Sequence, residues 1–232
     1  MTNKFLSTFA IAFAVVTMFA SCSKQESIDS DASQGKQLKA TKTITSTIVV
    51  AAGTTYDGKG ETIVAVGMGD GSQAENQKPI FKLEDGAKLL NVNIAAPGCD
   101  GVHVYGNASI NNVVWQDVGE DALTVKAGSL SKNVNITNCK AYKASDKVFQ
   151  INAPCNFKMN NMYCDGFGKV VRQNGGTTWQ CNIYFNGGTF KNGSECLART
   201  DSKTTQIRYR NMSVSNVPKY WIVPSSSQVK TY

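Results

Sequence analysis

The chain has 232 residues, with 24 Lys+Arg, 17 Asp+Glu and a single His, and its formal net charge is +7. That length suits one domain of ordinary size, and a composition of 41% hydrophobic and 18% charged residues is typical of a chain that folds around a core. A metal site with several histidine ligands is excluded, and the common glycine-rich phosphate-binding motifs do not occur. The positive charge favours an anionic partner, but interspersed acids argue against nucleic acid.

The first residues have the features of an export signal. Lys4 precedes an apolar run, Phe5–Ala20, which is shorter than the roughly 20 residues of a membrane span. A basic start and a short apolar run predict a signal peptide over residues 1–21. The junction Phe19–Cys22 is similar to a bacterial lipobox, in which Cys22 is lipidated; cleavage without lipidation is the alternative. We therefore expect an exported protein, either an outer-membrane or cell-surface lipoprotein or a secreted one.

Residues 22–42 form a polar stretch in which Ile28 and Leu38 are the large aliphatic side chains. Such a stretch buries too little apolar surface to order itself. We predict a flexible tether here and a single folded domain over residues 43–232.

An exported location permits disulfides. Cys155 and Cys181 open two segments with the same alternating pattern, which places them at matching inward positions. Neighbouring strands lie about 4.8 Å apart, within reach of a disulfide. The pattern is equally compatible with a disulfide and with two stacked buried thiols.

Short strand-like segments bounded by Gly and Asn recur at intervals of twenty-odd residues. One series comprises Asn91–Ile94, Asn112–Trp115, Val134–Ile136, Phe157–Met159, Ile183–Phe185 and Ile207–Tyr209. A second series comprises Val102–Val104, Leu123–Val125, Val148–Phe149, Val170–Val171, Leu197–Ala198 and Trp221–Val223. Each repeat therefore offers at least two short strands separated by a turn.

A period of this length is typical of a leucine-rich solenoid or of a parallel β-helix. The leucine consensus is missing, and a β-sandwich would not demand a shared register across successive units. We therefore predict an all-β, single-domain right-handed parallel β-helix, with the hand taken from the general crossover rule. Asn and Gly are expected at the bends.

Acidic residues fall at comparable turns of successive repeats. Asp100, Asp121 and Asp146 are aligned by the register, and Glu120 lies beside them. Carboxylates this close repel one another unless a cation or protons intervene. Oxygen ligands without His or thiolate favour Ca²⁺. Turn-forming Asp residues are the alternative explanation.

Basic residues follow at the same turns one and two repeats later. Lys147 and Arg172 occupy these positions, with Lys126 nearby. They are either salt-bridge partners of the acids or cations that face an acidic ligand already bridged by the metal. In the second case adjacent cations would lower the pKa of Lys147. His103 is predicted to have a structural or orienting role.

Longer strings occur in a fixed order between about residues 44 and 220. They are Tyr56–Gly60, Asp70–Phe81, Asp100–His103, Trp115–Thr124, Lys143–Gln150, Gly168–Gly176 and Leu197–Asp201. Together they resemble the motifs of the small pectate lyases of polysaccharide lyase family 3. The resemblance implies a right-handed parallel β-helix, calcium dependence and an alkaline optimum.

The resemblance also implies roles for individual residues. The family's calcium site corresponds to Asp100, Glu120 and Asp121, and its basic catalytic residues correspond to Lys147 and Arg172. The neighbours in the substrate cleft would be Glu75, Lys126, Asp146 and Arg199. Which of the two basic residues removes the proton stays open.

The implied reaction is Ca²⁺-assisted β-elimination in polygalacturonate (demethylated pectin), which yields 4,5-unsaturated oligogalacturonates. The protein would act as a monomer on this acidic polysaccharide and contact a membrane only through its lipid anchor. A β-helical polygalacturonan hydrolase with paired carboxylates is one alternative, and a non-catalytic surface pectin-binding protein is another. The lyase is favoured on the family motifs, and the hydrolase would also leave Lys147 and Arg172 without a chemical role.

Overall fold

A computed structural model describes residues 40–232. The strands are β1 (Thr41–Ile44), β2 (Ile48–Val50), β3 (Thr55–Asp57), β4 (Thr62–Ala65), β5 (Phe81–Leu83), β6 (Ala87–Ile94), β7 (Val102–Tyr105), β8 (Ala108–Trp115), β9 (Leu123–Ala127), β10 (Asn133–Thr137), β11 (Lys140–Ile151), β12 (Asn156–Gln173), β13 (Asn182–Arg199), β14 (Gln206–Ser215), β15 (Lys219–Ile222) and β16 (Val229–Thr231). A single 3₁₀ turn, Ser226–Gln228, precedes β16 within this part of the chain. None of the helical structure in residues 40–232 is long and apolar enough to cross a membrane.

The predicted signal peptide (1–21), the lipidated Cys22 and most of the predicted tether lie outside the described residues. The first strand starts at Thr41, two residues before the predicted start of the folded domain.

The strands stack into three parallel sheets that wind through about eight turns. Sheet 1 contains β1, β4, the second halves of β6, β8 and β14, the start of β11, and the middles of β12 and β13. Sheet 2 contains β2, β5, β7, β9, the ends of β11, β12 and β13, and β15. Sheet 3 contains β3, the first halves of β6, β8 and β14, β10, the starts of β12 and β13, and β16. The predicted all-β parallel β-helix is confirmed.

The core is a set of inward columns, one side chain per coil. In sheet 2 the register links Val102, Leu123, Phe149, Val171, Ala198 and Trp221, which confirms the second predicted series. The largest fully buried side chains include Trp115, Phe81, Phe149, Phe157, Phe185 and Phe190. An inward ring stacks on the coils above and below it, so no single coil can bury its own apolar side chains.

The first predicted series mixes two sheets. Val134, Phe157, Ile183 and Ile207 do form one column of sheet 3. However, Val134 pairs with Ala108, whereas Trp115 pairs with Ala141 in sheet 1. The alignment of Asn91–Ile94 and Asn112–Trp115 with Val134–Ile136 was therefore wrong. Strands β6 and β8 each carry two alternating runs on either side of a bend, so a period-two pattern fits either run.

Asparagine marks the bend between sheets 3 and 1, as predicted. The asparagines with a φ between 52° and 55° at this bend are Asn91, Asn112, Asn138, Asn161 and Asn211. Their amides also stack: Asn161 Nδ2 donates to Asn138 Oδ1 at 2.9 Å and Asn112 Nδ2 to Asn91 Oδ1 at 2.8 Å. Asparagine tolerates the left-handed region better than most residues, and the stacked amides replace contacts with water.

Cys155 and Cys181 lie side by side, as the pattern predicts. Their Sγ atoms are 3.7 Å apart, both side chains are fully buried, and both are free thiols. Of the two alternatives, the structure contains the stacked pair of thiols.

The asparagine bends give a prediction on stability. Asn161→Ala should lower the free energy of unfolding by about 1–3 kcal/mol, since it adds left-handed strain and removes an amide hydrogen bond. Asn161→Gly removes only the hydrogen bond and should cost about 1 kcal/mol. Urea denaturation of the three proteins measures both values. An Asn161→Gly protein as unstable as Asn161→Ala would contradict a role for backbone strain.

Candidate active site

Three carboxylates gather at the entry to sheet 2. Asp100 and Asp121 each lie two residues before a pair of stacked residues, Val102 and Leu123, so they occupy the same position in adjacent coils. Glu120 joins them, and one carboxylate oxygen from each of the three lies within 4.8 Å of the others. We call these three residues the acidic cluster. Their exposed fractions are only 4% for Asp100, 6% for Glu120 and 1% for Asp121.

Each of the two aspartates is contacted by the side chain of the residue three positions later in the chain. His103 Nε2 lies 2.6 Å from Asp100 Oδ2, and Thr124 Oγ1 donates to Asp121 Oδ2 at 2.8 Å. The orienting role predicted for His103 is consistent with this contact. Among residues 40–232, Asp100 Oδ1 and Glu120 Oε2 are buried without a polar partner, whereas Asp121 Oδ1 lies 3.3 Å from Lys147 Nζ.

Glycine allows the two coils to approach at this point. Gly101 has a φ of 45°, and a Cβ there would lie 2.2 Å from the carbonyl oxygen of Asp121. A side chain would push the coils apart between the two aspartates. Gly101 therefore sets the spacing of the acidic cluster.

Burial leaves the acidic cluster electrostatically unsatisfied. It raises the pKa of Glu120 to about 7, with Asp100 and Asp121 adding to the shift. Burial likewise raises the pKa of Asp121 to about 6, although Lys147 opposes it. Three hard oxygen donors with unfilled lone pairs are what Ca²⁺ takes in proteins. The residues present therefore fit the calcium ion that the sequence predicted.

A chain of alternating charges continues from the cluster along the next coils. Lys147 Nζ lies 3.3 Å from both Asp121 Oδ1 and Asp146 Oδ2. Lys169 Nζ lies 2.5 Å from Asp146 Oδ1 and 2.8 Å from Glu195 Oε2. The side chains of Lys147 and Lys169 are only 12% and 11% exposed, so each ammonium group is held in place by carboxylates.

Two arginines extend the same face. Arg172 and Arg199 are register partners in adjacent coils. Arg172 makes two bonds to Asp201, at 2.8 Å and 3.4 Å, and Arg199 bonds to Glu195 at 2.9 Å. Both guanidinium groups are thus oriented by a carboxylate on the outward side of sheet 2.

The grouping of Asp146 with Asp100 and Asp121 was wrong. Ala122 donates its backbone N–H to Val148 O, so Lys147 rather than Asp146 stands level with Asp121. Leu123 pairs with Phe149, 26 residues later, as Trp115 does with Ala141, whereas the alignment of Asp121 with Asp146 spans 25 residues. The residues brought together are those that the family resemblance implied.

The expected lowering of the Lys147 pKa is also wrong. Burial by itself lowers this pKa, but Asp121 and Asp146 raise it and the net shift is upward. The reason is that carboxylates, not cations, adjoin this ammonium group.

Two of the predicted cleft residues lie at the edge of the site. Glu75 is exposed in the loop between β4 and β5, and its charge contributes to the raised pKa of Glu120. Lys126 is exposed on β9, at the irregularity in its pairing with β7.

Sequence reasoning missed Lys169 and Glu195. Lys169 is the register partner of Lys147 in the next coil, and it lies inside the string Gly168–Gly176 that supported the resemblance. Correct alignment of the two coils would have found it. Glu195 precedes Cys196, the register partner of Lys169, in a segment without a charge pattern of its own.

A family model described as pectate lyase matches residues 32–223. The chain belongs to the pectate lyase family. The match begins within the predicted tether, and it contains every residue of the candidate site.

Fungal pectate lyases are among its relatives. The probable pectate lyase F of Aspergillus fumigatus is 37% identical over 128 residues, which are 54% of this chain and 55% of the relative. That of Aspergillus flavus is 33% identical over 159 residues, 67% of this chain and 68% of the relative. The chain thus spans about half the length of the first of these pectate lyases.

Solved bacterial pectate lyases share the fold. The catalytic domain of PelI from Erwinia chrysanthemi is 22% identical with a TM-score of 0.59, over 83% of this chain and 100% of that one. Pel3 from Pectobacterium carotovorum is 23% identical with a TM-score of 0.59, over 80% of this chain and 67% of that one. At this level of identity the likeness supports the β-helix alone.

The geometry predicts which carboxylates bind calcium. Asp121→Asn should weaken Ca²⁺ binding roughly tenfold or more, because it removes a charged ligand of the acidic cluster. Asp146→Asn is the matched control, since its carboxylate binds Lys147 and Lys169, and it should change the affinity much less. Calorimetric titration with Ca²⁺ gives both affinities, and the Ca²⁺-dependent rise in Tm checks them independently. Equal losses in the two variants would contradict the assignment.

Proposed function

We propose that this protein is a pectate lyase that cleaves polygalacturonate by β-elimination, with Ca²⁺ held by Asp100, Glu120 and Asp121. One observation carries the proposal. The buried acidic cluster holds two carboxylate oxygens without a polar partner, Asp100 Oδ1 and Glu120 Oε2, and its Asp121 contacts the Lys147 ammonium group on a β-helix from the pectate lyase family.

The chemistry of the substrate explains this pairing of charges. In polygalacturonate the C5 hydrogen lies next to a carboxylate, and C4 carries the glycosidic oxygen. Removal of the C5 proton builds negative charge on a group that is already anionic. When bound, Ca²⁺ would supply Lewis-acid stabilisation of that charge. The electron pair of the C5–H bond then forms the 4,5 double bond, and the 4-oxygen leaves.

Lys147 is the proposed base. Its Nζ lies next to the acidic cluster, and its amine can accept a proton once it is neutral. Since Asp121 and Asp146 raise its pKa, the neutral form is favoured only under alkaline conditions or when Asp121 is shared with a cation. The planar guanidinium group of Arg172 is suited to paired hydrogen bonds with a carboxylate, so its proposed role is to hold a substrate carboxylate.

The neighbouring side chains fix these groups. Asp146 lies between Lys147 and Lys169 and contacts both, which positions the two ammonium groups one coil apart. Lys169 and Arg199 would bind carboxylates of adjacent sugars, while Glu75 and Lys126 would border the cleft. Since these cations lie on successive coils, a polymer with one carboxylate per sugar would meet a positive charge at each coil.

A hydrolase fits this arrangement poorly. Glycosidases place their two carboxyl groups about 5–10 Å apart, with the sugar and often a water between them. Here the acidic cluster is nearly inaccessible, and one carboxylate oxygen from each of its residues lies within 4.8 Å of the others.

We also propose export through residues 1–21, lipidation at Cys22 and action as a monomer.

The proposed reaction predicts a conjugated product. With polygalacturonate and Ca²⁺ at alkaline pH, ultraviolet absorbance of the 4,5-unsaturated uronate should rise, and EDTA should stop the rise. New reducing ends without absorbance would identify a hydrolase. Polymer binding without either signal would identify a pectin-binding protein.

The role of Lys147 predicts the kinetics of two variants. Lys147→Ala should lower kcat by about 10²–10⁴-fold, the usual contribution of a general base. Lys147→Arg keeps the positive charge but cannot lose its proton, so it should be almost as slow. Both proteins should still bind Ca²⁺, which calorimetry checks. Substantial activity in Lys147→Arg would assign this residue an electrostatic role instead.

A further inference from the structure

The outward side of sheet 3 carries a column of polar and basic side chains. The register stacks seven positions over successive coils: Lys88, Ser109, Asn135, Lys158, Tyr184, Arg208 and Lys230. Coils lie about 4.8 Å apart, so the column extends for about 30 Å. Arg210 adds a further cation from the next outward position of β14. We call this surface the basic face.

The basic face has almost no negative charge to offset these cations. Within the described residues, none of the strand segments of sheet 3 from β6 to β16 contains Asp or Glu. Asp85, in the bend before β6, pairs with Lys132 at 2.8 Å. Sheet 2 differs in this respect, because there each of the two buried lysines contacts carboxylates.

Neutral groups orient the cations of the basic face. Lys158 Nζ donates to Asn133 Oδ1 at 3.0 Å and lies 5.8 Å from the centre of the Tyr184 ring. Arg208 donates to Gln206 Oε1 at 3.1 Å. These contacts hold the side chains without neutralising them, so the positive charge is available to a ligand.

Amide ladders and a shallow depression border the column. Asn182 Nδ2 donates to Asn156 Oδ1 at 2.8 Å, and Asn186 Nδ2 to Asn160 Oδ1 at 2.9 Å. A depression of about 420 Å³ lies around Lys158. Its other lining residues are Gly86, Asn107, Ala108, Ser109, Asn133 and Asn135. Amides and hydroxyls of this kind exchange hydrogen bonds with sugar hydroxyls.

The face lacks the features of a lipid or protein contact. The exposed large apolar residues of the described part are Val49, Val66, Leu130, Tyr220 and Tyr232, and none lies within a strand of sheet 3. Of these, the Tyr232 ring alone packs on the basic face, against Tyr184 and Arg210. Membrane-surface binding usually combines basic residues with an apolar side, and protein interfaces have an apolar centre. A long, flat, polar and cationic surface is complementary to an extended acidic polysaccharide.

We propose that the basic face is a second, non-catalytic binding surface for an acidic polysaccharide, separate from the site on sheet 2. The identity of the polymer, polygalacturonate, rests on the proposed function. The proposal that this face binds an acidic polysaccharide rests only on its charge and shape. Such a surface holds a long chain on the protein after each cleavage, while short oligosaccharides that reach only sheet 2 gain nothing from it.

The test compares two double variants of equal charge. Lys158→Gln/Arg208→Gln removes two cations from the basic face. Lys140→Gln/Lys143→Gln removes two exposed lysines of β11, Lys140 in sheet 1 and Lys143 at the bend that follows, and serves as the control. Affinity electrophoresis of the full chain through gels containing polygalacturonate, with EDTA present, measures binding that does not depend on calcium.

Wild-type protein should be retarded in these gels. Lys158→Gln/Arg208→Gln should weaken the retardation roughly 3- to 10-fold, as expected for two exposed ion pairs, and the control should change it little. Turnover of short oligogalacturonides should be the same in all three proteins. Absence of retardation in the wild type, or equal losses in the two double variants, would overturn the proposal.

Two further arms separate the alternatives. Vesicles containing anionic lipid should not bind through this face; loss of vesicle binding in Lys158→Gln/Arg208→Gln, with unchanged retardation by polygalacturonate, would assign the face to a membrane and overturn the proposal. Selective loss of retardation in a protein without lyase activity would support the face and refute the proposed function alone.

Discussion

The stacking of coils in a shared parallel register is the constraint on which this structure depends. Because adjacent coils lie about 4.8 Å apart, any residue is brought beside a partner twenty-odd positions away in the chain. Inward positions then form apolar columns, such as that from Val102 to Trp221. Outward positions form columns of polar side chains, and these columns supply both surfaces that we propose to be functional. The bends that permit the stacking are made by residues such as Asn161 and Gly101, whose backbones adopt positive φ.

The same stacking brings together charged side chains that lie far apart in the sequence. The carboxylates of Asp100, Glu120 and Asp121 are forced together and buried, which raises the pKa values of Glu120 and Asp121. One coil later the sign reverses at Lys147, which takes the level that Asp121 occupies in the previous coil. The fold therefore holds the acidic cluster and an ammonium group in contact, which is the arrangement that the proposed β-elimination requires.

Sheets 2 and 3 use cations differently. In sheet 2 the ammonium groups of Lys147 and Lys169 are mostly buried and held by carboxylates, which fixes their positions for chemistry on a bound sugar. In sheet 3 the cations are held by neutral amides, as Lys158 is by Asn133, and their charge remains available for general attraction of a polymer. The cations paired with carboxylates and the cations without acidic partners thus lie on separate sides of the β-helix. The cations of sheet 3 account for part of the net positive charge of the chain.

The sequence by itself determined the fold class, the asparagine bends, which segments stack in sheet 2 and, through the family resemblance, the residues of the acidic cluster. These follow from local spacing and from motifs that stay contiguous in the chain. It did not determine which of two alternating runs in β6 and β8 pairs with Val134, because a period-two pattern fits both. It also placed Asp146 one residue out of register and so misjudged the surroundings of Lys147. Lys169 and Glu195 emerged only from the tertiary structure, because their contacts join coils through register shifts that spacing in the sequence does not reveal. The basic face also emerged only there, because its residues lie twenty-odd positions apart in the chain and share no motif.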